Sequence, residues 1–127
     1  MPVVVAALLT VAPVVTACSS GPTTGTLTGH FSEIGGLNSR TSRATAGTIW
    51  IWSGVMTRAQ AKQMSPLHRV FADSQGQYSI TLKPGTYSVW ASPGRSQLTE
   101  APQCVGPLRA VVTAGHQTRV NAVCMLV

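Results

Sequence analysis

The sequence predicts an all-β fold, a single β-sandwich of seven strands that follows an apolar leader. Three observations carry this expectation. Only 9% of the residues are charged, against roughly 25% in an ordinary soluble protein, and Thr, Ser, Val, Ala and Gly are abundant, the composition of strands and turns. Short alternating or apolar runs are separated by turn residues about every ten positions, the rhythm of two packed antiparallel sheets. At 127 residues the chain has room for one core, and a domain of this size buries most of its apolar surface without help from a metal or cofactor. No cofactor is expected.

The leader comes first. Residues 2–17 carry no charge and are interrupted by Pro13. At sixteen residues the run is shorter than the roughly 20 that a membrane-spanning helix needs. Length, apolarity and small residues before a cut fit a secretory signal peptide, although the only positive group at its start is the Met1 amine. Val15-Thr16-Ala17-Cys18 resembles the lipobox of bacterial lipoproteins. The resemblance implies transfer of a diacylglyceryl group to the Cys18 sulfur, cleavage before Cys18, and acylation, as with palmitate, of the new amino terminus. A thiolate is the nucleophile such chemistry requires. Two or three acyl chains, at about 0.8 kcal/mol per buried methylene, anchor firmly where one does not. The alternative is a buried apolar strand or helix with an ordinary core cysteine.

On this reading residues 1–17 are the signal peptide, 18–25 are the lipidated cysteine and a Ser/Gly/Pro/Thr tether, and 26–127 are the sandwich. With Cys18 lipidated as the resemblance implies, Cys104 and Cys124 remain as an even pair outside the cytoplasm, where a disulfide persists. Two separate buried thiols are the alternative.

Strands are expected near 26–31, 48–53, 67–72, 77–82, 86–91, 108–113 and 117–125. Residues 55–64 are the one helix-friendly segment, where Thr57 and Gln60 have capping-box spacing; a short helix and an ordered crossover loop fit equally. In residues 72–92, Asp73 bonds its own turn and Gly76 takes positive φ, joining two strands tightly. Lys83-Pro84-Gly85 forms the next turn. Tyr78, Ile80 and Leu82 share one face by the period of two, and Tyr87, Val89 and Ala91 continue the inward row.

That stretch, with Asp-x-x-Gly-x-aromatic followed by Leu-x-Pro-Gly-x-Tyr, resembles the prealbumin-like (transthyretin-like) sandwich of carboxypeptidase regulatory-like domains, a carbohydrate-binding-like fold. Gly47-Thr48-Ile49 is similar to an earlier strand of that family. The run 111–115, followed by a last strand with Cys124, is similar to small lipoproteins of high-GC Gram-positive bacteria. The resemblance covers roughly residues 25–127 and implies fold rather than activity. Some relatives of the fold weld strands by a Lys–Asn isopeptide bond. Asn121 lies on the last strand, but the first, TLTGHF, has no lysine, so the pattern is broken.

Catalytic and metal-binding motifs are missing from the sequence. It has no nucleophile-elbow sequence, no metal-ligand histidine spacing and no CxxC. His30, His68 and His116 are far apart, as are the three acids Glu33, Asp73 and Glu100. No enzyme is expected. The net charge is +6, which favours anionic partners, but the basic residues are scattered and form no nucleic-acid-reading motif.

In TIWIWS, Ile49 and Ile51 share one face and Trp50 and Trp52 the other, with Trp90 likewise out of phase with Tyr87 and Val89. Outward indoles would form a platform for a cell-wall glycan, lipid or envelope protein. Burial of the indoles under residues 32–46 or 55–66 is the opposing expectation. The functional expectation is a membrane-anchored extracytoplasmic lipoprotein displaying a binding module. Its alternative is a non-binding structural or accessory subunit of an envelope complex.

Overall fold

A computed structural model describes residues 21–35, 42–95 and 104–126. The expected signal peptide, the lipidated Cys18 and the start of the tether lie outside the described residues.

Nine strands and one helix are present among them. They are β1 (Gly25–Gly35), β2 (Ser42–Ala44), β3 (Gly47–Ser53), α1 (Arg58–Gln63), β4 (His68–Ala72), β5 (Gln77–Leu82), β6 (Gly85–Pro93), β7 (Leu108–Val112), β8 (Gln117–Arg119) and β9 (Ala122–Leu126). The expectation of seven strands is thus corrected in two places. A three-residue strand, β2, pairs with the far half of β1, which itself runs on to Gly35. The last expected strand is divided into β8 and β9.

The division has a local cause. Both pieces run parallel to β1 in one register, Thr28 beside Arg119 and Phe31 beside Ala122. Between them the Val120 carbonyl accepts the Tyr78 hydroxyl, and the His30 N–H is satisfied instead by the Asn121 side-chain oxygen at 3.0 Å. Gly29 makes the detour possible, because a Cβ there would collide with the Val120 carbonyl.

Two sheets result. One has β1 at its centre, flanked by β5 and β2 on one edge and by β8 and β9 on the other. The second has the order β4-β3-β6-β7. Strands alternate side-chain direction, and the two inner faces meet in a core of Leu27, Phe31, Ile49, Ile51, Tyr78, Leu82, Val89, Ala91 and Val112, all buried. Gly47 lies against the Phe31 ring, with no space for a side chain. Each fully buried large apolar side chain contributes about 1.5–3 kcal/mol, and this inner layer holds the sheets together.

Within residues 55–64, Arg58–Gln63 form the helix. Thr57 accepts from the Gln60 N–H at 3.2 Å while the Gln60 side chain accepts from the Thr57 N–H at 2.9 Å, a complete capping box.

Candidate interaction surface

The three indoles share the outer face of the four-stranded sheet, opposite Ile49 and Ile51. Trp50 is paired directly across from Trp90, and Trp52 from Ser88. Over the indoles that face is covered. Trp90 is 0% exposed, Trp52 2% and Trp50 8%, so the expected aromatic platform is corrected to a second, outer core.

What covers it is the chain itself. The segment carrying α1 folds over Trp52, whose indole N–H donates to the Met64 carbonyl at 2.9 Å. Trp90 donates to the Cys104 carbonyl at 3.0 Å, and Arg58 lies 5.2 Å above its ring. Arg58 also donates to the carbonyls of Gly106 and Cys104, each at 2.9 Å. Trp50 donates to the buried Ser92 hydroxyl at 2.9 Å. Ser88 accepts from the Met56 N–H and donates to the Gly54 carbonyl. Among the described residues no buried side-chain nitrogen or oxygen is left without a partner, which is what a permanently covered polar–aromatic layer requires.

The other singled-out residues have separate places. Cys104 and Cys124, both buried, form a disulfide that fixes the segment before β7 to β9, beside a hydrogen bond from Val105 N–H to the Val123 carbonyl at 2.9 Å. Asp73 accepts the Gln75 and Gln77 N–H groups at 2.9 and 3.0 Å, and Gly76 stands at φ +77° with its N–H on the Asp73 carbonyl. Pro84 is exposed and Gly85 opens β6; Tyr87 closes that turn by donating to the Lys83 carbonyl at 2.6 Å. His68 and His116 are exposed and His30 is half-buried. Asn121 is exposed and is held to β1. Neither lysine of the chain lies on that strand.

Two surfaces stand out among the described residues. One is a shallow polar depression of about 390 Å³ on the five-stranded sheet, lined by Thr28, His30, Asp73, Gln77, Ser79 and Arg119 among others. The other lies on β4, whose sole paired neighbour among the described residues is β3. There Phe71 is 45% exposed, with the Arg69 guanidinium 5.4 Å from its ring and that of Arg95 4.8 Å away. Arg69 is also 5.8 Å from the Trp50 ring. Sequence reasoning places a strand at residues 67–72 and does not single out the exposed ring of Phe71 within it. The signal was present in the alternation: if Val70 and Ala72 face inward, Phe71 faces out with Arg69.

No protein-family profile matches the chain, and no curated protein does. Among solved structures, the crystal structure of a minor pilin from the Gram-positive pathogen Streptococcus agalactiae is similar, with TM-score 0.55 and 16% identity over 84% of this chain. The likeness is one of fold. The chain spans about half of that pilin's length, 46%, and both share a β-sandwich body.

Proposed function

We propose that this chain is an extracytoplasmic accessory subunit of a cell-envelope assembly, anchored to the membrane through lipid on Cys18 and built on a prealbumin-like sandwich. The observation that carries the location is the buried Cys104–Cys124 disulfide, a bond that persists in oxidising compartments and is rare in the cytosol. The leader sequence and the Val15-Thr16-Ala17-Cys18 motif point to the same side of the membrane.

A structural role is favoured over an aromatic binding module by the packing of the tryptophans. Trp52 and Trp90 are engaged by the protein's own α1 segment and residues 104–106 and Trp50 by Ser92, all three buried, so the indoles stabilise the body and offer no stacking surface. Similarity of fold to a minor pilin is compatible with a subunit role.

Phase partition of the native protein in detergent, followed by pull-down from solubilised membranes, tests this reading. Wild type is expected in the detergent phase with stable companions. Cys18→Ala is expected in the aqueous phase. An aqueous wild type that still begins at Met1 would overturn the anchor, and a monomer recovered alone would overturn the subunit.

A further inference from the structure

We propose that Arg69, Phe71 and Arg95 form an oxyanion site that receives the phosphate groups of an extended phosphate-bearing polymer. Two guanidiniums approach one half-exposed ring, at 5.4 and 4.8 Å from its centroid. Two like charges against one ring, at most about 10 Å apart, repel. Among the described residues the one ion pair is between Arg43 and Glu33, so no described carboxylate relieves this repulsion. A bound anion would.

The stacking also prepares the site. A guanidinium lying on a ring engages its face and leaves its edge of N–H donors outward, the fork that matches phosphate oxygens two at a time. Its side chain is already ordered by the ring, so less rotamer freedom is lost on binding. Arg69 is held further by Trp50, at 5.8 Å. The chain's net charge of +6 raises the local concentration of any polyanion.

The shape selects a polymer. Among the described residues Phe71 lies on an edge strand of the second sheet and is 45% exposed, so an extended chain can run along that strand past the site. An isolated exposed ion pair yields only about 0–1 kcal/mol, whereas successive phosphates on one chain return to the site at high effective concentration. Height along the body separates polymer from bilayer, a step that rests on the anchor reading. Ala72 pairs with Gly47, which lies against Phe31, six residues along β1 from Gly25 and so roughly 20 Å from the end where the tether enters. At physiological salt this is more than two Debye lengths of about 8 Å from headgroups at that end.

The test is a titration of the full chain in neutral detergent with long-chain inorganic polyphosphate, read by tryptophan emission, since Arg69 stacks on Trp50. Saturable binding is expected, weakened at least tenfold by the pair Arg69→Gln and Arg95→Gln. The pair Lys83→Gln and Arg119→Gln removes equal charge elsewhere and is expected to stay within twofold of wild type. Should the first pair fail to fold, Arg69→Lys with Arg95→Lys decides instead, with a severalfold loss expected because charge is kept and the planar fork is not. Equal losses in site and control pairs, no loss in either, or binding to phosphatidylglycerol vesicles but not to polyphosphate would each overturn the proposal. No membrane enters the polyphosphate titration, so its outcome is independent of the anchor.

Discussion

Tyr78 shows how much one polar atom settles in this fold. Its hydroxyl reaches over β1 at Gly29, within one sheet, to the Val120 carbonyl, at the point where the last strand is interrupted. Burial pushes its phenol well above the ordinary 10.0. The folded state thus resists ionisation more than the unfolded one, and the stability linked to this group is fully present below about pH 10 and is lost as pH rises above it. Tyr78→Phe leaves the Val120 carbonyl without its donor and is expected to cost about 1–3 kcal/mol in urea unfolding at pH 7. The same variant should show a shallower loss of stability above pH 10 than wild type. The inward place of Tyr78 was legible from simple alternation with Ile80 and Leu82; its partner was not, since nothing in local sequence reports a contact forty-two residues away. The tryptophans teach the converse. Alternation correctly separated Trp50 and Trp52 from Ile49 and Ile51, but a period of two names a face without saying what lies on it.

Among the elements, α1 has an importance beyond its six residues. It supplies Arg58, which bridges to the 104–106 segment and covers Trp90. The helix and that segment thereby clasp one outer sheet face. Arg58→Ala is expected to cost about 1–2 kcal/mol through lost charged hydrogen bonds and the cation–π contact, and to raise acrylamide quenching of tryptophan emission relative to wild type. The capping residues Thr57 and Gln60 were legible because their spacing is a local rule. The strands were legible as well, since Gly, Pro and Asp punctuate them: the Asp73 and Gly76 turn follows from side-chain and φ chemistry inside four residues. The short β2 was not, because Ser42–Ala44 is exposed throughout and bears no apolar alternation; it is a strand only because β1 passes beside it.

At the scale of the molecule, the disulfide closes a loop of 20 residues around β7 and β8, fixing the segment before β7 to β9. Cys104→Ser with Cys124→Ser is expected to lower unfolding free energy by about 3 kcal/mol, measured by urea unfolding against the oxidised protein. The pairing of the strands themselves was beyond the sequence, which carries no mark that β1 meets the chain's last strands in parallel. That arrangement has a mechanical consequence. The start of β1 and the far end of β9 lie at opposite ends of adjoining parallel strands, so tension applied between Gly25 and residue 126 slides the pair in shear. Its evenly spaced ladder must then yield together instead of peeling open one bond at a time, and a body so strung resists tugging far better than its modest size suggests.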